Sequence, residues 1–145
     1  MHIGLLHSHT GLAYVLFLAA LLNLVCALAP AGIKATITED GQLVVSALTN
    51  VMHYAHLIIL NAGRILILLG IGLFLFQRGW NNPSGFWWSW SCILLWLPVE
   101  VVARRFVRPE LQYVYDGGKP SQRLLIGTGV QLLFVATIFG IMHAK

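Results

Sequence analysis

The chain has 145 residues, of which 58% are hydrophobic and only 10% are charged. A soluble domain carries about 25% charged residues, so long apolar runs with so few charges exclude an ordinary soluble domain and indicate an integral membrane protein. The net charge of +4 is small, and most basic residues lie between the apolar runs, which argues against nucleic-acid binding. No internal repeat or linker divides the chain, and residues 1–145 are predicted to form one membrane domain.

Four apolar segments are long enough to cross a bilayer, which takes about 20 residues each. In chain order they are residues 9–30, 53–76, 85–105 and 122–143. They predict an all-α integral membrane protein, a bundle of four transmembrane helices with short loops. Ala29-Pro30-Ala31 has the A-x-A pattern of a signal-peptide cleavage site, but no basic residue precedes the first run, which we interpret as a retained helix.

The segment between the first two spans alternates polar and apolar residues around Asp40-Gly41. This pattern predicts a small hairpin outside the membrane, because Asp-Gly is typical of tight hairpin turns. The second half of the segment fits a helical extension of the second span equally well. The 20 residues from Arg104 to Arg123 are predicted to be the longer connection between the third and fourth spans.

The basic residues predict the orientation in the membrane. With four spans both termini lie on one side, together with Arg78 and Lys145, and six basic residues lie on the other side. These six are Lys34, Arg104, Arg105, Arg108, Lys119 and Arg123. The positive-inside rule makes them cytoplasmic and places both termini on the periplasmic side of a bacterial inner membrane. Four tryptophans then form an aromatic belt at the outer headgroup level: Trp80, Trp87, Trp88 and Trp90.

The second span carries four polar residues, His53, His56, Asn61 and Arg64. At 100° per residue they share one broad face of a helix. Arg64 is predicted to lie close to the bilayer midplane, where an arginine costs at least about 2.5 kcal/mol. We therefore expect Arg64 to face the bundle or another subunit and to find an anion.

Glu100 is the only acidic residue in any predicted span. Two interpretations stay open for it: an ion pair with Arg104 one helical turn away, or an ion pair with Arg64 across two helices. Arg64 in turn either makes a structural pair or holds a carboxylate, a quinone oxygen or a haem propionate. Asn23 and Gln131 are interpreted as positions of helix packing and interhelical hydrogen bonding.

A haem held by two histidines in a helical bundle needs two imidazoles at similar depth on facing helices. His7 and His9 lie at the outer end of the first span, about 30 Å from the histidines at the cytoplasmic end of the second span. His9 with His143 is therefore the one intrachain axial pair. Alternatively, His2, His7, His9 and His143 form an outward-facing copper or zinc site, or they bond to backbone and water at the interface.

Other chemistry has little support in the sequence. Cys26 and Cys92 lie in apolar stretches without metal-site spacing and are interpreted as small buried hydrophobic residues. The chain lacks G-x-S-x-G, Walker and H-E-x-x-H motifs and has no paired carboxylates in a span. No catalytic residue is predicted, and a non-enzyme is favoured over an enzyme.

The segment "MHIGLLHSHTGLAYVLFLAALLNLVCAL", with its H-x-H-T-G-L element, resembles the start of small four-helix bacterial membrane proteins of the cytochrome b-like type. The stretch "RILILLGIGLFLF" looks like the second helix of that family. The resemblance covers about the first half of the chain and implies haem b and electron transport. His7 and His9 match the family's first element, but Arg64 stands where the second helix has its histidine. A relative of this kind is expected to keep the scaffold and act as an accessory subunit.

Three functions follow as hypotheses. The first is an accessory subunit of a respiratory or photosynthetic inner-membrane complex, which stabilises helix packing, lines a quinone or lipid site and has membrane lipids and other membrane subunits as partners. The second is a haem b electron carrier that exchanges electrons with quinone, with His9 and His143 as ligands and Arg64 near a propionate. The third is a copper-handling membrane protein.

Overall fold

The computed structural model describes residues 2–76 and 83–143, and the side chains of residues 7–76, 86, 87 and 89–143. Five α-helices are described: α1 (His2–Ala27), α2 (Ala47–Phe76), α3 (Pro83–Val102), α4 (Arg108–Tyr115) and α5 (Gln122–His143). Several of the residues considered above lie outside the described part of the chain. They are the predicted outer turn with Arg78 and Trp80, the side chains of Trp88 and His2, and Lys145.

Three helices are long and apolar enough to cross a membrane, judged over the residues that the structure describes. They are His7–Ala27 of α1 and the whole of α2 and α5. α3 coincides with most of the third predicted span, and Phe86 at its start contacts the rings of Trp87 and Trp90. The all-α class is therefore confirmed, and three of the predicted spans coincide with helices that are long and apolar enough to cross a membrane.

The predicted hairpin is confirmed. Strands β1 (Ala35–Ile37) and β2 (Leu43–Val45) pair antiparallel with Thr36 opposite Val44. The turn contains Gly41 at a φ of 74°, a left-handed conformation that glycine adopts without strain. The Thr38 side chain closes the turn, since its hydroxyl donates to the Gln42 carbonyl at 3.1 Å.

α2 begins six residues before the predicted second span because Ser46 caps it. The Ser46 hydroxyl accepts a hydrogen bond from the Thr49 amide at 3.2 Å and donates to the Gly32 carbonyl at 2.7 Å. The Lys34 amide donates to the Thr49 hydroxyl at 3.0 Å. A serine at the N-cap satisfies amide groups that the first helical turn leaves without partners. The hairpin is thereby fixed to the start of α2.

Within the predicted connection between the third and fourth spans, the chain stays helical as far as Tyr115. α3 runs through a π-helical turn (Ala103–Val107) into α4. The reason is a row of buried apolar residues at four-residue intervals, Val99, Ala103, Val107 and Leu111. Such a row drifts around a regular α-helix by about 40° per step, and a π turn with its extra residue corrects the drift.

The interior consists of two apolar clusters. The Trp96 cluster contains Ala13, Leu16, Ala19, Ala20, Ile59, Ala62, Leu66, Trp96, Val99, Val135 and Ile138. The Val107 cluster contains Cys26, Ala27, Ile33, Met52, Val107, Leu111, Val114 and Leu124. Small residues allow close helix packing, and a Cβ on Gly63 of α2 would overlap the Trp96 ring of α3. α1, α2 and α5 each contribute to both clusters, whereas α3 contributes only to the Trp96 cluster, and the polar residues described next lie in sequence between the two clusters.

Candidate functional site: an arginine pair on one carboxylate, a buried polar layer and a thiol-lined cavity

Arg64 and Arg104 share the carboxylate of Glu100. Arg64 Nη2 donates to Glu100 Oε1, and the same oxygen accepts Arg104 Nε at 3.1 Å and Arg104 Nη2 at 2.8 Å. Both ion pairs considered from the sequence are thus formed at once. Two guanidinium groups on one carboxylate leave this group of three side chains with one positive charge that is not neutralised.

Arg64 lies on the outside of the bundle. Its side chain is 48% exposed, whereas that of Glu100 is 18% exposed. The buried residues of α2 lie on the side of the helix opposite to Arg64, at 100° per residue. Around Arg64 runs a stripe of exposed residues, the Arg64 face, which consists of Leu57, Asn61, Arg64, Leu68, Ile71 and Leu75.

The four polar residues of the second span therefore do not all face the same surroundings. His56 is buried, His53 is half-buried, and Asn61 and Arg64 are exposed. The His53 ring makes edge contacts with the rings of Tyr54 and Tyr115, at 5.8 and 5.6 Å between centroids. Only Asn61 and Arg64 belong to the outer surface that a neighbouring molecule can reach.

A buried polar layer lies at the boundary of the two apolar clusters. Asn23 of α1, His56 of α2 and Gln131 of α5 are 0%, 3% and 1% exposed. Along the chain, each of the three residues separates residues of the Trp96 cluster from residues of the Val107 cluster. Glu100 of α3 has the same position between the two clusters. The layer thus takes one residue from each of α1, α2 and α5, and Glu100 occupies the corresponding position of α3.

The polar atoms of this layer find no hydrogen-bond partner among the described residues. This holds for both side-chain polar atoms of Asn23 and Gln131, both ring nitrogens of His56, and Glu100 Oε2. Unpaired buried polar atoms are rare in folded proteins and mark places where water or a polar ligand group is held. The sequence predicted interhelical hydrogen bonds for Asn23 and Gln131, and the structure buries both residues without making those bonds.

His9 lines a different feature, a partly open cavity of about 80 Å³ between α1, α2, α3 and α5. Its ring lies against Gly70, where an added Cβ would be 3.4 Å from His9 Cε1. His9 Nδ1 is buried and has no hydrogen-bond partner among the described residues. Cys92 and Met142 line the same cavity, so its wall contains an imidazole, a thiol and a thioether from three helices.

His143, the predicted partner of His9, is placed elsewhere. Its Nδ1 is 2.8 Å from the Phe139 carbonyl oxygen, and its ring packs on the rings of Phe139 and Tyr14. His143 is a described residue and does not line the cavity of His9. His7, the other predicted ligand on α1, is exposed. The structure therefore places His9, but not His143, in the lining of this cavity.

The described residues contain no group of three or more histidine, cysteine, aspartate or glutamate side chains that is arranged to hold a metal ion. Cys26 and Cys92 are both thiols, and they lie in different parts of the interior. Comparisons with models of known protein families, with curated protein sequences and with solved structures gave no match to this chain.

Proposed function

We propose that this chain is a non-catalytic subunit of a larger complex in the bacterial inner membrane, and that a helix of a partner subunit covers the Arg64 face. In this arrangement α1, α2, α3 and α5 are the four membrane spans. The distribution of basic residues supports an orientation in which the hairpin and α4 are cytoplasmic and both termini are periplasmic.

The observation that carries the proposal is the half-exposed Arg64 in the middle of α2. At 1.5 Å per residue Arg64 lies about 26 Å from the start of α2 and about 18 Å from its end. Its helical neighbours on the same face are leucine and isoleucine, apart from Asn61. Unless another protein covers it, an arginine on such a surface faces hydrocarbon. This exposure to hydrocarbon costs about 2.5–3.5 kcal/mol on insertion scales.

The chemistry of the partner follows from the charge on this face. The carboxylate of Glu100 also pairs with Arg104, so its single negative charge does not neutralise Arg64 completely. Lipid phosphates lie at the edges of the hydrocarbon core, about 15 Å from its centre, and are too distant to neutralise a guanidinium at mid-membrane depth. A carboxylate on a transmembrane helix of another subunit is the anion that can reach it, with Asn61 as a second hydrogen-bonding group.

The test uses site-specific photocrosslinking in native membranes. A photoreactive residue at Leu68, one turn from Arg64, is compared with one at Leu133 on α5, since the two leucines are 68% and 65% exposed. We expect a discrete protein adduct from position 68 that Arg64→Met abolishes, and no such adduct from position 133. Lipid adducts alone at position 68, or a protein adduct that persists in Arg64→Met, would overturn the proposal.

The haem b carrier is the alternative function, and the residues present do not fit it as arranged. A haem needs a site at least as large as those of other small molecules, about 300–1,000 Å³, whereas the cavity beside His9 is about 80 Å³. His143 does not line this cavity, and its ring packs on those of Phe139 and Tyr14. A reduced-minus-oxidised spectrum of the gently purified chain, with a b-type Soret band lost in His9→Ala and His143→Ala, would reverse this preference.

A further inference from the structure

The lining of the cavity beside His9 contains three kinds of metal ligand in a mostly apolar setting that also includes Ser89. His9 contributes an imidazole from α1, Cys92 a thiol from α3 and Met142 a thioether from α5. Trp96, Gly63 and Gly70 form part of the wall and bring no charge. We propose that this cavity binds one cuprous ion through His9, Cys92 and Met142, which goes beyond the proposed role as a subunit.

The ligand set selects the metal. Thiolate and thioether sulfur are soft ligands that favour Cu(I), and imidazole also binds copper well. A cuprous ion with one thiolate has no net charge, so the apolar cavity can hold it without an additional counter-ion. A zinc ion with the same three ligands would keep a positive charge and would lack the fourth ligand of a structural zinc site. The charge argument therefore favours Cu(I) over Zn(II).

The size and position of the cavity support an ion as occupant. About 80 Å³ holds an ion and one or two small ligands, and it is well below the volume of sites for haem or quinone. The cavity is partly open, which gives an ion a way in. His9 Nδ1 is a buried nitrogen without a partner among the described residues, and a metal would satisfy it. Binding displaces the thiol proton of Cys92 to solvent, and Met142 has the flexible side chain needed to close on the ion.

The experiment is a competition titration of Cu(I) with the full-length chain against a chromophoric Cu(I) chelator, in mild detergent under reducing, oxygen-free conditions. We expect one Cu(I) per chain. Cys92→Ser and Met142→Leu should each weaken binding by about tenfold or more, since even outer-shell changes at metal sites cost about 10–100-fold. The matched controls Cys26→Ser and Met52→Leu change a thiol and a thioether of the Val107 cluster and should leave the affinity unchanged.

A second measurement keeps the test independent of the stability of any variant. Cu(I) should slow the alkylation of Cys92 by a maleimide in the wild-type chain, and Zn(II) at the same concentration should not. Failure of the wild-type chain to take up Cu(I) above a detergent blank would overturn the site. Equal protection by Zn(II), or equal loss of affinity in Cys26→Ser and Cys92→Ser, would overturn the assignment of the metal or of its ligands.

Discussion

Replacing Glu100 by glutamine tests how much the shared carboxylate contributes to the fold. Glutamine keeps the shape of the side chain, but it removes the negative charge that two guanidinium groups contact. For Arg64 we expect a large loss of stability, because an arginine at mid-membrane depth without an anion costs about 2.5–3.5 kcal/mol. For Arg104 the loss is small, because an exposed i,i+4 pair contributes only about 0.3–0.5 kcal/mol. We expect Glu100→Gln to lower the free energy of unfolding by about 2–4 kcal/mol.

A double-mutant cycle separates the two pairs. Unfolding in mixed micelles, followed by circular dichroism, is measured for Glu100→Gln, Arg64→Met and the double variant, and again with Arg104→Met in place of Arg64→Met. We expect a coupling energy of about 2 kcal/mol or more for Arg64 with Glu100 and below about 0.5 kcal/mol for Arg104 with Glu100. Equal coupling energies for the two arginines would refute the reasoning, because membrane depth would then have no influence on the strength of the pair.

Two further substitutions test the packing and the start of α2. In the same assay Gly63→Ala should lower the free energy of unfolding by about 1–3 kcal/mol, because the added methyl group overlaps the Trp96 ring. Gly72→Ala is the control: its added methyl group meets open space, so the substitution should be neutral or stabilising. Ser46→Ala removes the acceptor of the Thr49 amide at the N-cap of α2 and should cost about 1 kcal/mol, with faster hydrogen exchange confined to the first turn of α2. Equal effects of the two alanine substitutions in α2, or unchanged exchange there, would contradict these assignments.

The sequence predicts the helices and the hairpin because each has a local cause. Runs of about 20 apolar residues identify the helical segments, since a membrane requires internal hydrogen bonding of the backbone over that length. Asp40-Gly41 between alternating residues identifies the hairpin, since this pair adopts the required turn without strain. Both signals depend only on neighbouring residues.

Other features depend on distant residues. The sequence leaves a helical extension before residue 53 open, because the Ser46 cap depends on its contacts with the Gly32 carbonyl and with Thr49. The sequence likewise does not show that the helix of the third span continues beyond Arg105. The helix continues because Val107 and its neighbours at four-residue spacing pack on α5, where Gly127 allows their close approach.

The direction of the Arg64 face and the make-up of the His9 cavity were likewise beyond sequence reasoning. Helical periodicity shows which residues share a face, but in a membrane a polar face can point into the bundle or towards a partner, and periodicity does not distinguish the two. The cavity takes His9, Cys92 and Met142 from three separate helices, so no spacing along the chain marks it. Tests for C-x-x-C or paired histidines necessarily miss such a site.

Glu100 connects the outer and inner polar groups of this protein. Its Oε1 accepts from Arg64 and Arg104, while Oε2 is buried without a partner at the level of the polar layer formed by Asn23, His56 and Gln131. Proteins rarely bury a carboxylate oxygen and leave it unpaired, because the desolvation cost is not recovered. Within the described part of the chain, Glu100 therefore takes part both in the outer ion pairs and in the set of buried polar atoms that lack a partner.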